Sequence, residues 1–135
     1  MSNPIIEKSD AEWRKELTPD QYRVLRQSAT EPQFQNAYWN KHDDGTYSCA
    51  GCGTPLFTSD VKFDSGCGWP SFWDAFDPKS IKFVEDHSHG MNRIEVRCAV
   101  CDGHLGHVFD DGPAPTGQRY CINSLSLKFH PEEKE

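Results

Sequence analysis

The sequence predicts a mainly β fold, a small antiparallel barrel or sandwich that begins with short helices. After Thr30 the helical period disappears, and glycine or proline interrupts the chain every few residues. Apolar and polar residues alternate over residues 93–97 and 125–129, which is typical of half-buried strands. Two Cys-x-x-Cys pairs in the same region have the spacing of a metal site that holds distant turns together. Many short strands with frequent turns favour packed or closed sheets.

Two short helices are predicted ahead of the β region. Ser9 with Glu12, and Thr18 with Gln21, have the pattern of a capping box, in which two side chains satisfy free amides at a helix start. A proline follows Thr18 at the first helical position, where a missing N–H does no harm. The patterns predict two helices, over residues 10–17 and 19–28.

Length and charge set broad limits. The 135 residues are expected to form one domain: a helical segment (1–30) packed on a β body (31–130), then a solvated tail (131–135). The formal charge of −7 argues against binding to nucleic acid or to an anionic membrane. The sequence contains neither an apolar run of transmembrane length nor a signal-peptide core, so a reducing, cytoplasmic location is expected. Without a long apolar edge or a heptad repeat, we expect a monomer.

Four of the six cysteines form two pairs, Cys49 with Cys52 and Cys98 with Cys101. Two cysteines separated by two residues can present both sulfurs to one ion, and two such turns complete the four-thiolate shell that zinc prefers. That shell leaves no open position for water or substrate, so the predicted zinc is structural. The alternative is a thioredoxin-like redox couple, which expects a helix after the pair; neither pair is followed by a helical pattern.

The fifth cysteine lies in a glycine-rich segment with aromatic neighbours. Cys67 stands between Gly66 and Gly68, in backbone that can adopt conformations other residues avoid. Trp69 and Phe72 offer apolar faces close by. The alternative is a turn with a buried cysteine and core aromatics.

The sixth cysteine, Cys121, lies on a predicted strand and has a polar residue two positions away on each side. Arg119 precedes it by two positions and Asn123 follows it by two, so the three side chains should share one face. A neighbouring cation lowers the pKa of a thiol, and the thiolate is the nucleophile. An inert core cysteine is the alternative.

Two histidines, His104 and His107, follow the second cysteine pair. Metal ligation by them is disfavoured because four thiolates already complete the predicted shell. A histidine titrates near neutrality and can protonate a developing oxyanion. The alternative is a surface or structural role.

Together these segments resemble the methionine-R-sulfoxide reductases, the MsrB family. The resemblance rests on three ordered motifs: Gly66-Cys67-Gly68-Trp69-Pro70-Ser71-Phe72, Gly103-His104-Leu105-Gly106-His107-Val108-Phe109 and Arg119-Tyr120-Cys121-Ile122-Asn123-Ser124. It extends from about Thr30 to Phe129 and includes both cysteine pairs. It implies a two-sheet antiparallel β fold stapled by a structural zinc. It also implies reduction of the R epimer of methionine sulfoxide in peptides and proteins, with recycling by thioredoxin.

The resemblance further implies a role for each matching residue. Cys121 is the nucleophile that becomes a sulfenic acid, and Cys67 is the resolving thiol that converts it to an intramolecular disulfide. The acid–base and substrate positions are matched by Trp69, His104, His107, Phe109, Arg119 and Asn123. Leu125 departs from the family pattern, which usually has a small residue there.

Two functions of other classes compete with this interpretation. A zinc-stapled binding module would use Trp69, Phe72 and Phe109 as an aromatic pocket, but it gives no role to Cys67 or Cys121. A thiol–disulfide oxidoreductase acting on protein disulfides would use both thiols. It needs neither an aromatic pocket of methyl size nor paired histidines.

Overall fold

A computed structural model describes residues 8–131, which form two helices and two antiparallel β-sheets. The helices are α1 (Asp10–Glu16) and α2 (Pro19–Gln27), and the strands are β1 (Gly45–Cys49), β2 (Pro55–Thr58), β3 (Lys62–Phe63), β4 (Ser71–Phe72), β5 (Ile81–Asp86), β6 (Arg93–Cys98), β7 (His104–Phe109), β8 (Arg119–Ile122) and β9 (Leu127–Pro131). The smaller sheet has the order β2-β1-β9, and the larger has the order β3-β4-β8-β7-β6-β5. The predicted mainly β, two-sheet fold is confirmed.

Both predicted helices are present, and each ends one residue earlier than predicted. Ser9 and Thr18 cap the two starts, each in a complete capping box with the side chain three residues on. Helix α1 ends because Leu17 and Thr18 are extended, the conformation favoured for a residue before proline. Ser28 closes α2 in a left-handed conformation at φ 56°.

The predicted strand over residues 125–129 is correct only in its second half. Ser124–Ser126 form a 3₁₀ turn, and β9 begins at Leu127. The turn forms because the carboxylate of Glu31 accepts the backbone N–H groups of Ser124 and Leu125, which a strand would direct to a neighbour. The predicted strand over residues 93–97 is confirmed as part of β6.

Register across the larger sheet aligns side chains from four strands on one face. Glu95 of β6 pairs with His107 of β7, His107 pairs with Cys121 of β8, and Cys121 pairs with Ser71 of β4. Directly paired residues project to the same side of a sheet. We call these four residues the central row.

The opposite face of the larger sheet packs into an apolar core. Phe72 of this sheet stacks on Phe57 of the smaller one, with ring centroids 4.4 Å apart and an interplanar angle of 13°. Trp13 and Leu25 of the helices are buried in the same core. The three-part division of the chain stays a prediction. Of the predicted tail, Pro131 pairs with Gly45, and residues 132–135 lie outside the described residues.

Among residues 8–131 neither helix is long and apolar enough to cross a membrane.

Candidate active site

The two cysteines outside the Cys-x-x-Cys pairs lie side by side. The Sγ atoms of Cys67 and Cys121 are 3.0 Å apart, and both thiols are free. Strand β4 brings them together, because its Ser71 pairs with Cys121 while its N-terminal side leads back to Cys67. Cys67 lies in the predicted glycine turn, with Gly66 at φ 80° and Gly68 at φ 88°, where a side chain would strain the backbone.

The two sulfurs share a hydrogen bond and titrate together. The hydrogen bond with Cys121 lowers the pKa of Cys67 to about 4, and hydrogen bonds with Ser65 and Ser71 lower it further. The same contact with Cys67, together with burial, raises the pKa of Cys121, and Arg119 acts in the opposite direction. One negative charge on the pair is therefore favoured and a second is opposed.

Cys121 lines a cavity of about 280 Å³. Its size suits one side chain and is small for a large cofactor. The indole of Trp69, the ring of Phe109 and the imidazole of His107 line it, as do the side chains of Arg119 and Asn123. Gly106 also lines this cavity, and it cannot be replaced by a residue with a side chain because a Cβ would collide with the carbonyl oxygen of Cys121.

Arg119 is held in place next to Cys121. Its Nε and Nη2 donate to the carboxylate of Asp111 at 2.9 and 3.2 Å, a two-point contact that fixes the guanidinium plane. The guanidinium also stacks on Phe109, 4.4 Å from the ring centroid. Asp111 raises the pKa of Arg119 chiefly through this hydrogen bond, so a permanent cation stands beside the thiol pair.

His107 faces the cavity and is oriented by a carboxylate from a neighbouring strand. Its Nε2 lies 2.7 Å from Oδ2 of Asp86, the last residue of β5. Burial lowers the pKa of His107, and the hydrogen bond to Asp86 partly opposes that effect. The same Asp86 oxygen accepts from Nη2 of Arg93 at 3.1 Å. His107 is therefore a fixed imidazole that is mostly neutral near pH 7.

His104 occupies a different environment. It is buried, and its Nδ1 lies 2.6 Å from Oε2 of Glu95, an oxygen that also forms an ion pair with Nε of Arg97 at 3.0 Å. The two histidine rings meet edge to face, with centroids 5.7 Å apart. His104 thus packs behind His107 and does not line the cavity.

Asn123 and Trp69 are both tied to the segment that follows α2. The side-chain amide of Asn123 donates to the carbonyl of Leu105 at 3.0 Å and accepts from the backbone N–H of Glu31 at 3.1 Å. The indole N–H of Trp69 donates to the carbonyl of Glu31 at 2.9 Å. Both side chains therefore have fixed orientations, and Thr30 of the same segment lines the cavity.

The four remaining cysteines form one cluster away from this cavity. The Sγ atoms of Cys49, Cys52, Cys98 and Cys101 lie within 4.8 Å of one another. Two of the separations are 3.6 Å, close to the roughly 3.8 Å edge of a tetrahedron with metal–sulfur bonds of about 2.3 Å. Crowding raises the pKa of Cys49 chiefly through its hydrogen bond with Cys101, and a bound dication would relieve that crowding. These residues could hold a metal ion.

The structure brings the predicted site residues together around one cavity, and the sequence analysis missed the residues that support them. All the predicted substrate and nucleophile residues line or adjoin the cavity: Trp69, Phe109, Arg119, Cys121 and Asn123, with Cys67 beside them. The missed residues are Thr30 and Arg93, which line the cavity, and four supporting carboxylates: Glu31, Asp86, Glu95 and Asp111. Only Asp111 had a local signal, since it lies eight residues before Arg119 across a turn.

Comparison with known proteins gives matches over nearly the whole chain. The SelR domain matches residues 17–131. A protein of Agrobacterium fabrum named peptide methionine sulfoxide reductase MsrB is 54% identical over 131 residues, 97% of this chain and 97% of that protein. Proteins of the same name from Thiobacillus denitrificans and Methanosarcina barkeri are 56% and 58% identical. These two alignments cover 93% and 99% of this chain and 96% and 94% of the relatives.

Proposed function

The chain belongs to the SelR family, and on that basis we propose that it reduces methionine-R-sulfoxide in peptides and proteins by thiol chemistry. The observation that carries the proposal is the pair of thiols 3.0 Å apart, one of which lines a cavity together with an indole and an oriented imidazole. This arrangement supplies a nucleophile, an acid and a methyl-sized apolar wall at one point. It favours an oxidoreductase over a binding module, which has no use for the thiol pair.

In the first step Cys121 attacks the sulfoxide sulfur. The two sulfurs share one proton, so substrate docking can place the charge on Cys121, where Arg119 stabilises it. His107 delivers a proton to the sulfoxide oxygen, without which that oxygen cannot leave as a neutral group. The S–O bond breaks, the hydroxyl passes to Cys121 and methionine departs. The methionine sulfur gains the two electrons that Cys121 loses.

Selection of the R epimer follows from three fixed directions around the sulfur. Trp69 and Phe109 offer apolar faces to the methyl group, His107 marks the direction of the oxygen, and Cys121 attacks the sulfur. The mirror arrangement would direct the methyl group at His107 or the oxygen at an indole face. Both leave a polar group without a partner, which costs free energy in a small cavity.

In the second step Cys67 resolves the sulfenic acid on Cys121. An S–S bond forms between them and water leaves, a condensation typical of sulfenic acids beside a thiol. The sulfurs need to close from 3.0 Å to about 2.05 Å, so no large loop movement is required. Thioredoxin or another dithiol then reduces this disulfide by exchange and supplies the two electrons of the cycle.

We propose that the four-cysteine cluster holds one structural zinc. Cys49 and Cys52 lie at the turn between β1 and β2, and Cys98 and Cys101 lie at the turn between β6 and β7. Bound zinc supplies folding free energy by joining the two sheets. With four sulfur ligands it has no open position for substrate.

The physiological setting stays a prediction. Oxidised proteins are the expected substrates, so the reaction is one of protein repair after oxidative stress. The cycle begins and ends with reduced thiols, which fits the expected cytoplasmic location. A monomer is sufficient, because one chain supplies all the residues of the proposed reaction.

The test is dithiothreitol-driven reduction of the two separated epimers of methionine sulfoxide in a short blocked peptide. Consumption of the R epimer alone, abolished by Cys121→Ser, is expected. Turnover of the S epimer would mean that the cavity walls are misassigned. Greater activity on a disulfide substrate would favour a thiol–disulfide oxidoreductase. If neither epimer reacts and the fold is intact, the protein is a binding module.

A further inference from the structure

We propose that Glu31 is a positioning residue that holds the methyl-facing wall of the cavity in register with the nucleophile strand. The inference rests on the proposed function. Glu31 touches none of the proposed reacting groups, but it forms hydrogen bonds with chain segments on both sides of the cavity. Its role is to fix the distance between Trp69 and the end of β8.

The backbone of Glu31 joins two cavity side chains. Its carbonyl accepts the indole N–H of Trp69 at 2.9 Å, and its N–H donates to the side-chain oxygen of Asn123 at 3.1 Å. Trp69 and Asn123 come from different segments of the chain and line the same cavity. One peptide segment thus sets the position of both.

The carboxylate of Glu31 anchors that backbone to β8. It accepts the backbone N–H groups of Ser124 and Leu125, the latter at 2.8 Å, in the turn that follows Asn123. The residue is only 5% exposed, and burial raises its pKa against these hydrogen bonds. Burying a carboxylate is costly unless its oxygens are satisfied, and here backbone amides satisfy both. The carboxylate is therefore a specific anchor and not a solvated charge.

Residues 31–36 extend the same anchor to the loop that carries Cys67, and we call this segment the strap. Gln33 donates to the carbonyl of Cys67 at 2.7 Å. The backbone N–H of Phe34 and the side chain of Asn36 both donate to the carbonyl of Gly68 at 2.8 Å. A side chain on Gly68 would collide with the strap. Release of Glu31 would therefore loosen the Trp69 side of the cavity.

The test compares substrate reduction with the intrinsic reactivity of the nucleophile. Glu31→Gln keeps the side-chain size but replaces one acceptor oxygen with an amide that faces a backbone N–H. In a Cys67→Ser background, with dithiothreitol reducing the sulfenic acid directly, steady-state reduction of the R epimer should lose about tenfold in kcat/KM, mainly through KM, because charge-assisted hydrogen bonds are lost. Alkylation of Cys121 by iodoacetamide should stay within about twofold, because β4 and β8 still pair. Gln35→Ala, an exposed position of the strap, is the matched control and should change neither rate.

A second variant covers the case in which Glu31→Gln does not fold. Trp69→Phe removes the indole N–H bond to Glu31 and keeps an aromatic wall. It should also raise KM without changing alkylation, and the two substitutions together should be less than additive because they release the same wall. Unchanged kcat/KM in folded Glu31→Gln, additive effects, or a parallel loss of alkylation would overturn the inference. A parent protein inactive on both epimers would instead reject the proposed function.

Discussion

Replacing Glu95 with glutamine should remove the charge that pairs with His104. Glu95 is buried in the central row. It accepts a hydrogen bond from His104 at 2.6 Å and forms an ion pair with Arg97 at 3.0 Å. Glutamine has the same shape, so Glu95→Gln changes the charge and leaves the packing intact. The expected result is a loss of stability with a defined pH dependence.

The magnitude follows from the pKa of the carboxyl group. Burial alone would raise it, but the contacts with His104 and Arg97 outweigh burial and lower the pKa from 4.5 to about 2. A carboxyl group with a lowered folded-state pKa contributes stability above its unfolded pKa and loses it as the pH falls through the folded value. The lowering corresponds to about 3 kcal/mol of unfolding free energy at neutral pH. That contribution is complete above about pH 4.5 and disappears towards about pH 2.

Urea unfolding of both proteins between pH 7 and pH 3 measures this difference. The variant should be less stable by about 3 kcal/mol at pH 7, with a constant gap down to about pH 5 and a narrowing gap below it. Metal release by cysteine protonation affects both proteins alike and cancels in the difference. Glu85→Gln, whose carboxylate is 80% exposed, is the control and should cost about 0.5 kcal/mol or less. A gap below about 1 kcal/mol at pH 7, or one unchanged at pH 3, would refute the reasoning.

Three further predictions concern the reaction and the metal cluster. Cys67→Ser should give one turnover per enzyme and no thioredoxin-driven cycling, as measured by methionine released; unimpaired cycling would reject Cys67 as the resolving thiol. Asp86→Asn removes the partner that raises the pKa of His107. The single-turnover rate should fall as rising pH deprotonates His107, and in the variant this fall should begin at a lower pH than in the parent, where it already begins below pH 6.5. An unmoved limb would exclude His107 as the acid. A strong chelator should release one zinc per chain and lower the unfolding free energy by several kcal/mol, and full stability without metal would contradict the cluster's role.

Local patterns carried the correct sequence predictions. The capping boxes at Ser9 and Thr18 depend only on side chains three residues apart, so both helices were predictable. Two-residue alternation placed Arg119, Cys121 and Asn123 around one cavity.

Contacts between distant segments could not be predicted in the same way. Residues 125–129 alternate like a strand. The carboxylate of Glu31, more than 90 residues earlier, accepts the backbone N–H of Leu125, and the chain forms a turn up to Ser126 instead. The closeness of Cys67 and Cys121 depends on β4, a strand of two residues whose pairing has little local signal. Asp86 reaches His107 only through the order of strands in the larger sheet.

The central row explains how a metal ion bound by the four-cysteine cluster could affect the proposed reaction at Cys121 without contacting it. His107 faces Cys121 only if β6, β7 and β8 keep one register, since a slip of one residue would turn His107 to the opposite face. The β6–β7 pairing contains an irregularity between Val96 and Arg97, so the register shifts between the turn end of this hairpin and the end that carries His107. Cys98 and Cys101 close that hairpin and are clustered with cysteines of the other sheet. Metal bound there would fix the register of His107 from the far end of its strand.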